Sequence, residues 1–568
     1  MQPTPHVFPD IKDWPIHRMH QERRKFVEEL EQFTYDQLVE EYGDELGDLV
    51  AKALYTERIR MKEEPWRIDP PDERGFWGRI GKKLAQEGLD DDAPQSETTN
   101  RKLLRSVIDR YSEEIVGTFR ESTFLFARRF LTWFFNRLLN TAAERNFRQL
   151  FSSRYRMLDR LKVVGHVDLL RELVQRGTVV LVPTHSSNLD SLLISYALDQ
   201  KVGVPMFIYG AGLNLYNTGY TAYFMNRLGP YRVDRRKKNP IYLATLKNNS
   251  QLALEYGTHS IFYPGGTRSR SGTLEDKLKM GLLGTAVSAQ RANFERQRGR
   301  KIFIVPLILS YHVVLEAKQL IEQHLQRTGQ EQYLKTGRES YGLRKLLKFA
   351  WKFFGKGSEI TMSVGKPMDV LGNFVDGSGL SYDRHGRAVD VRDYFVTDGA
   401  VTANLQRERE YTRILADRIV DRYFKENVVL SSHLVAYSAF NLLRRSYPNL
   451  DLYGLLRLPP DDFVFDWEKL KQVVAAIRAA LYEREARGHI KLSEQIRWDL
   501  DNLLRDGVHQ VGVFHLKKPL SFNRQGELVS EDFKMLFFYH NRLEHYGLAR
   551  TVDWQHIFRP ALTGVPKT

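Results

Sequence analysis

The chain of 568 residues is predicted to have an α/β fold, on the basis of three observations. Between residues 151 and 370, short runs rich in β-branched and aromatic residues alternate with segments of helical periodicity, as is typical of a sheet layered with helices. Residues 1–150 and most of 371–568 instead show apolar spacing near 3.6 residues, which predicts helical flanking regions. With 42% hydrophobic and 27% charged residues, the composition is that of a folded protein.

The elements of the central region are predicted from these runs. The predicted strands are TVVLVPT (178–184), PMFIYGA (205–211), YRVDR (231–235), HSIFYPG (259–265), KIFIVPLILSY (301–311) and EITMSVGKPM (359–368). The predicted helices between them include 239–257 and 276–293. Two further stretches, 89–100 and 372–399, are predicted to be a polar linker and a loop.

The longest charge-free run, 202–226, is long enough to span a membrane. It contains Pro205, four glycines and three asparagines, and its centre is polar. We therefore predict a strand, a turn and a helix there, and no transmembrane helix.

The net charge of +15 predicts an anionic partner, which could be nucleic acid, a membrane surface or a phosphorylated substrate. The chain has no cysteine, which excludes disulfides, thiolate zinc sites and cysteine nucleophiles. Charge alone does not choose among the three kinds of partner.

The first candidate motif is HSSNLD, which follows the strand predicted to end at Thr184. If His185 lies on the turn and Asp190 in the first turn of a helix that begins near Leu189, the carboxylate can hydrogen-bond one imidazole nitrogen. The other nitrogen is then left as a base, as in hydroxyl activation. The alternative is a capped helix beside an incidental histidine.

The second and third candidates are rich in arginine. The stretch FYPGGTRSRSG (262–272) follows a predicted strand and combines glycines, hydroxyls and two guanidinium groups, which can bind a phosphate. The stretch LGPYRVDRRKK (228–238) has five basic residues and one acid between Tyr231 and Lys238. The alternatives are a tight turn with solvated arginines and an exposed basic loop.

In order and spacing, these motifs resemble those of the glycerolipid acyltransferase family, specifically its glycerol-3-phosphate acyltransferase branch. HSSNLD is similar to the H-x4-D motif, GPYRVDR to the second motif through Gly229 and Arg235, YPGGTRSRSG to the third, and IVPLILSY to the fourth. The stretches AGLNLYN (211–217) and KMGLL (279–283) also resemble that branch, and LFFYHNRLEHYGL (536–548) resembles it more weakly. The resemblance implies a mixed sheet flanked by helices.

The resemblance also implies the roles of individual residues. His185 would remove the proton from the sn-1 hydroxyl of the acceptor, and Asp190 would orient it. The substrate-binding residues would be Arg235, Gly266, Thr267, Arg268, Ser269, Arg270, Lys279 and Pro306. The implied activity is transfer of a fatty acyl group from acyl-CoA or acyl carrier protein to glycerol 3-phosphate, with no metal and no cofactor.

The chain departs from the family pattern at two positions. Gly265 stands where the third motif usually has a glutamate that is thought to help position the polyol, and Arg232 stands where the second motif usually has an apolar residue. The first departure bears on the acceptor alcohol more than on the reaction. Acylation of lysophosphatidate or another lysolipid is the alternative reaction, and a non-catalytic phospholipid-binding protein is the alternative class.

Two amphipathic segments predict attachment to a membrane. In 343–356 an arc of Leu, Ala, Trp and Phe faces an arc of five basic residues, and 124–139 has a similar but less regular pattern. Either helix could instead dock on the protein core. We predict a peripheral protein on the cytoplasmic face of a membrane, and no nucleic-acid partner, because no recognition module is present.

Overall fold

A mixed sheet lies at the centre of the computed structural model, in which residues 4–87, 93–143, 161–216, 219–328, 359–512 and 515–558 are described. Within these ranges the central sheet has seven strands, in the order β1-β7-β6-β2-β5-β3-β4. The strands are β1 (Leu161–Gly165), β2 (Thr178–Pro183), β3 (Ile208–Gly212), β4 (Tyr231–Val233), β5 (Ser260–Ile261), β6 (Ile302–Tyr311) and β7 (Ile360–Val364). The predicted α/β fold class is confirmed.

The pairing of the strands brings five strand ends to one edge of the sheet. β2 is parallel to β5 and β6, and β3 is parallel to β4 and β5. β7 runs antiparallel to β6 and parallel to β1. The carboxyl ends of β2 to β6 therefore share one edge, which is where open α/β sheets bind ligands.

The apolar runs of the sequence become the buried strands. Every residue of β2 and of β6 is buried, as expected for strands covered on both faces. All six predicted strands are present, although β5 has only two residues in ladder pairing. β1 was not predicted, because this edge strand is short and only partly buried, and its pairing with β7 joins segments far apart in sequence.

The N-terminal region is helical, as predicted. Its helices are α1 (Pro15–Gln21), α2 (Arg23–Tyr42), α3 (Leu46–Glu63), α4 (Glu73–Glu87), α5 (Ala93–Ile115) and α6 (Glu121–Ala143). The prediction of a linker over 89–100 is wrong for residues 93–100, which form the first two turns of α5. Glu97 and Arg101 are ion-paired one turn apart, and this polar segment continues into a helix whose apolar face is buried.

Helices cover the sheet within the central region. They are α7 (Val167–Arg176), α8 (Asp190–Ala197), α9 (Gly219–Met225), α10 (Pro240–Glu255), α11 (Met280–Glu295) and α12 (Ala317–Arg327). The charge-free run 202–226 contains β3, a short 3₁₀ helix (Leu213–Tyr216) and α9, as predicted. Across the described ranges, no helix combines the length and the apolarity needed to cross a membrane.

The C-terminal region is mainly helical, as predicted. Its helices are α13 (Leu405–Lys425), α14 (Ser431–Ser446), α15 (Leu452–Leu456), α16 (Trp467–Ala486), α17 (Leu500–Gly512), α18 (Phe533–His540) and α19 (Trp554–Phe558). A 3₁₀ helix, Asn541–Tyr546, follows α18 directly.

Short two-residue strands precede these helices or lie between them. They are β8 (Phe374–Val375), β9 (Ser381–Tyr382), β10 (Ala388–Val389), β11 (Val396–Thr397), β12 (Ala400–Val401), β13 (Val428–Val429), β14 (Val464–Phe465), β15 (Lys491–Leu492), β16 (Ser521–Phe522) and β17 (Leu528–Val529). The stretch 372–399, predicted to be a loop, thus contains small antiparallel pairings. One hydrophobic core includes side chains from all three regions, and the boundaries 1–150, 151–370 and 371–568 stay a prediction.

Candidate active site

The sequence motifs meet at the edge of the sheet where β2 to β6 end. His185 follows β2, Arg235 follows β4, and the stretch 262–272, here called the glycine–arginine loop, follows β5. Tyr311 is the last residue of β6. The parallel pairing of these strands is the reason that motifs far apart in sequence become neighbours.

His185 and Asp190 are hydrogen-bonded, and α8 begins at Asp190. The distance from His185 Nδ1 to Asp190 Oδ2 is 2.8 Å. The same oxygen accepts the main-chain N–H groups of Ser186 and Ser187, at 2.7 and 2.9 Å. Because this carboxylate oxygen already accepts two N–H groups, we assign the proton to Nδ1, which leaves Nε2 as a proton acceptor.

The other oxygen of Asp190 is held by Tyr311. The tyrosine hydroxyl donates to Oδ1 at 2.6 Å, and both side chains are buried. Burial and the charge of Asp190 raise the pKa of Tyr311 well above its usual value, so that its hydroxyl stays protonated and donates. The ring of Tyr263 packs on the His185 imidazole with 4.2 Å between centroids. The hydrogen bond to Asp190 and the packing of the Tyr263 ring together fix the orientation of the imidazole.

The main chain of His185 is tied to the segment that follows β5. The Ser269 N–H donates to the His185 carbonyl at 2.7 Å. The His185 N–H in turn donates to Glu275 Oε1 at 2.8 Å. Within the same segment, the Ser269 hydroxyl donates to the Thr273 carbonyl at 2.8 Å. His185 and the glycine–arginine loop therefore form one hydrogen-bonded unit.

Three guanidinium groups lie together beside this unit: Arg235, Arg268 and Arg270, here called the open arginine cluster. Crowding by surrounding protein and the positive charge of Arg268 lower the pKa of Arg235, whose side chain remains exposed. Partial burial and the charges of Arg327, Arg268 and Arg235 lower the pKa of Arg270. The three positive charges repel one another, so an anion bound among them would be stabilised.

The cluster has few acidic partners within the described part of the chain. Arg268 Nη1 lies 3.2 Å from Glu316 Oε1, and the buried Glu316 also accepts the Ser187 hydroxyl and the Asn188 N–H. Among the described residues, Arg235 and Arg270 have neither a hydrogen-bond nor an ion-pair partner. Two cationic side chains are thus available to a ligand.

Lys279 lies over the glycine–arginine loop. Gly266 has a φ of +74°, and a Cβ added there would lie 2.7 Å from Lys279 Cδ, so this position requires glycine. Thr267 is half-buried in the same loop. Of the predicted site residues, Pro306 alone lies away from the loops: it is buried inside β6, and its carbonyl accepts the Gly365 N–H at 2.8 Å.

The basic stretch 228–238 separates into two parts. Arg235 joins the open arginine cluster, whereas Arg236 and Lys237, here called the neutralised pair, bind carboxylates of the N-terminal region. Arg236 is paired with Asp69 and Asp234 and stacks on Trp66 at 4.1 Å. Lys237 is paired with Glu73 and Glu114, and its side chain is 3% exposed.

The departure at Arg232 has a structural explanation. Its guanidinium group lies over the ring of Tyr216 at 5.2 Å and donates to the side chain of Asn226. The chain segment before α9 and the one after it thereby contact β4. Arg232 holds these loops together and is not part of the open arginine cluster.

Sequence reasoning missed several residues of the site. Tyr311 ends a strand that was predicted, and a tyrosine at the carboxyl end of a buried strand was an available signal. Glu275 lies between two quoted motifs. No signal in the sequence indicated Glu316, which follows β6 in a loop.

The C-terminal region covers the glycine–arginine loop. Asn541 Nδ2 donates to the Ser271 carbonyl at 2.8 Å, and the buried Arg542 donates to the Leu309 carbonyl at 2.9 Å. Both residues belong to the stretch 536–548 that weakly resembles the family. In the described ranges, no group of three or more histidine, aspartate or glutamate side chains is arranged to hold a metal ion.

Comparisons with known proteins agree with this geometry. Residues 163–310 match the Acyltransferase family model. The chain is 25% identical over 355 residues to the glycerol-3-phosphate acyltransferase of Pseudoalteromonas translucida (strain TAC 125), covering 61% of this chain and 39% of that protein. It is 24% identical over 455 residues to the protein of the same name from Shewanella sp. (strain MR-4), covering 78% and 50%. Residues 163–310 are therefore similar to the Acyltransferase family, and the chain is similar over a longer stretch to proteins named glycerol-3-phosphate acyltransferase.

The chain spans half or less of the length of these curated relatives. Among solved structures, it is similar to the 1-acyl-sn-glycerophosphate acyltransferase of Thermotoga maritima, at 13% identity and a TM-score of 0.24, over 66% of this chain and 93% of that one. Residues 163–310, which match the family model, contain His185, Asp190, the open arginine cluster and the whole glycine–arginine loop.

Proposed function

We propose that the protein is a glycerol-3-phosphate 1-O-acyltransferase of phospholipid biosynthesis, which transfers a fatty acyl group from an acyl thioester to glycerol 3-phosphate. One observation carries the proposal: the His185–Asp190 pair and the open arginine cluster are linked through the main chain of the glycine–arginine loop. A base beside an anion site is the arrangement that acyl transfer to a phosphorylated alcohol requires.

In the proposed reaction, His185 Nε2 accepts the proton of the sn-1 hydroxyl as the oxygen attacks the thioester carbonyl carbon. The tetrahedral intermediate collapses to the ester, the carbon–sulfur bond breaks, and the imidazolium returns its proton to the leaving thiolate. Asp190 holds the imidazole through Nδ1 and stabilises its positive charge. The chain has no G-x-S-x-G motif, and we propose direct transfer without an acyl-serine.

The phosphate is proposed to lie against the open arginine cluster, with Lys279 approaching over Gly266. Thr267 and Ser269 would contribute polar groups of the same loop. Guanidinium groups bind phosphate with paired, charge-assisted hydrogen bonds. Pro306 would act only indirectly, by fixing β6 beneath the site. The donor is acyl-CoA or acyl carrier protein, and no metal or cofactor takes part in the proposed steps.

Peripheral attachment to the cytoplasmic face of a membrane is part of the proposal. Helix α6 contains the predicted segment 124–139, and Phe126, Phe130 and Trp133 lie one turn apart with exposed fractions of 58%, 39% and 58%. Their rings follow one another at centroid distances of 6.2 Å. An exposed aromatic face on a basic protein supports contact with an anionic bilayer. The other segment, 343–356, lies outside the described residues and stays a prediction.

The central test is acyl transfer from a labelled palmitoyl thioester to a panel of phosphorylated and unphosphorylated acceptors. Glycerol 3-phosphate should be the best acceptor, ahead of lysophosphatidate and glycerol. His185→Ala should lower kcat by about 10²- to 10⁴-fold, the usual effect of removing a positioned general base. His385→Ala, which changes an exposed histidine in another loop, is the control. Retention of most activity by folded His185→Ala would contradict the mechanism.

Membrane attachment is tested by sedimentation with anionic liposomes. Replacement of Phe126, Phe130 and Trp133 together by serine should weaken binding at least about tenfold, because burial of each aromatic ring contributes about 1.5–3 kcal/mol. Tyr55→Ser removes a 66%-exposed aromatic ring from α3 and serves as the control. If the triple variant and the control sediment equally with the liposomes, the membrane contact lies on another surface of the protein.

A further inference from the structure

A side chain added at position 265 would occupy the space that the side chain of Glu275 now fills. A Cβ atom added to Gly265 would lie 3.0 Å from Cγ, 3.4 Å from Oε1 and 3.6 Å from Cδ of Glu275. The shortest of these distances is tighter than nine in ten real Cβ contacts. A side chain at position 265 and the present side chain of Glu275 therefore compete for the same place.

The distances also show what kind of side chain would fit there. With standard bond lengths, a glutamate spans about 3–3.7 Å from Cβ to a carboxylate oxygen. The present Oε1 of Glu275 lies 3.4 Å from the Cβ position of residue 265. A glutamate at position 265 could thus place an oxygen where Glu275 places one now.

That oxygen has a specific partner. Oε1 of Glu275 accepts the main-chain N–H of His185 at 2.8 Å, while Ser269 donates to the His185 carbonyl. Both main-chain polar groups of His185 are therefore held by the segment that follows β5. Together with the bond from Nδ1 to Asp190, they fix the direction of Nε2.

The carboxyl group of Glu275 has a raised pKa because it is buried, and the buried guanidinium group of Arg542 partly opposes this shift. Burial raises the pKa of Glu275, while the hydrogen bond from His185 and the charges of Arg542 and His185 lower it. Burial lowers the pKa of Arg542, and the charges of Tyr546, Glu275 and Asp190 partly offset this effect. A buried cation behind the site thus accompanies the two carboxylates that hold His185.

We propose that Glu275 is a positioning residue for His185, and that it supplies from ten residues downstream the carboxylate that the third family motif has at position 265. This inference rests on the proposed function, because it assigns to His185 the role of base. It predicts that a side-chain acceptor oxygen in this space is required, whichever of the two positions in the chain supplies it.

The first test compares steady-state kinetics of four variants with glycerol 3-phosphate as acceptor. Glu275→Ala should lower kcat by about 10- to 100-fold, with less than about a twofold change in the acceptor KM, since the lost hydrogen bond orients the base. Glu275→Gln keeps an acceptor oxygen and should lose less than about threefold. Asp276→Ala, an exposed acidic neighbour, is the matched control.

The fourth variant moves the carboxylate. Gly265→Glu combined with Glu275→Ala should recover about a third or more of the wild-type kcat, which a merely structural role of Glu275 does not predict. Wild-type kcat in Glu275→Ala would overturn the assignment. So would an equal loss in Glu275→Gln and Glu275→Ala, or failure of the double variant to exceed Glu275→Ala.

A second measurement does not depend on activity. Hydrogen exchange of the His185 amide should be at least about tenfold faster in Glu275→Ala than in wild type, and slow again in the double variant. Unchanged protection in Glu275→Ala would overturn the inference even if the enzyme is active. If the wild type shows no acyl transfer but the His185 amide exchanges as predicted, the proposed function is refuted and the positioning role of Glu275 is not.

Discussion

The open arginine cluster and the neutralised pair contain equally basic residues from overlapping stretches of sequence, but they differ in their partners. In the open cluster, Glu316 is the one acidic partner within the described residues, and it binds Arg268. In the neutralised pair, each cation has two carboxylate partners. The first group is the proposed phosphate site, whereas the second joins the N-terminal region to the central region through ion pairs.

Arg235 and Arg236 show the difference most sharply, because they are adjacent in the chain. Arg235 is exposed, while the side chain of Arg236 is 6% exposed between Asp69 and Asp234. Both residues lie in the turn that follows β4, where Arg235 is exposed beside Arg268 and Arg236 contacts the loop between α3 and α4. A net charge of +15 therefore overstates the charge that is available to an anionic ligand.

The largest effect is expected at Lys237. Lys237→Met should lower the free energy of unfolding by about 3 kcal/mol, because it removes a buried cation from between Glu73 and Glu114, which keep only Arg60 and Arg110 as partners among the described residues. Denaturant unfolding measures this loss. Lys238→Met, at the next and exposed position, is the control. If both variants are equally stable, the pair does not anchor the N-terminal region.

Arg268→Ala should act on substrate binding. We expect the acceptor KM to rise by about 10- to 150-fold, since a lost charge-assisted hydrogen bond to phosphate costs about 1.5–3 kcal/mol. The KM for the acyl thioester should change little, and an unfolding curve checks the effect of leaving Glu316 without its cation. An effect on the thioester KM alone would place the phosphate elsewhere.

The neighbouring arginines provide a matched pair. Arg235→Ala should raise the acceptor KM by about 3- to 10-fold, less than Arg268→Ala because its side chain is exposed and its charge is screened. It should leave the free energy of unfolding unchanged. Arg236→Ala should do the reverse: unfolding becomes easier and the acceptor KM stays the same. Similar behaviour of the two variants would remove the distinction between the two groups.

The smallest effect is a pH dependence within the neutralised pair. Burial raises the pKa of Asp69, but hydrogen bonds from Arg236 and the Trp66 N–H outweigh it, so the pKa is lowered on folding. Below about pH 4 the unfolded chain then binds more protons at Asp69 than the folded chain, and stability falls as the pH falls, by at most about 1.4 kcal/mol per pH unit. This contribution is absent from Asp69→Asn.

Unfolding of the wild type and Asp69→Asn at pH 5, 4 and 3 measures that contribution. The difference between their free energies of unfolding should shrink toward low pH, as the wild type loses the charge of Asp69. Parallel curves would mean that the ion pair with Arg236 does not stabilise the folded protein.

The sequence by itself determined the elements and the chemical types at the site. β2 and β6 were predicted because strands buried on both faces need uninterrupted apolar runs. The turn at His185 and the first helical residue at Asp190 follow from local hydrogen bonding over five positions. Such features depend on neighbouring residues, so they can be read without the fold.

Only the tertiary structure decided which basic side chains lack carboxylate partners among the described residues and which groups hold His185. Tyr311, Glu316 and Glu275 reach the site from distant segments, and the partners of Lys237 come from helices of another region. β1 was likewise missed because its pairing with β7 joins segments near the two ends of the central region 151–370. The physical reason is the same in each case. These groups are far apart in the sequence and come within hydrogen-bonding distance only when the chain folds, so no local periodicity predicts their contacts.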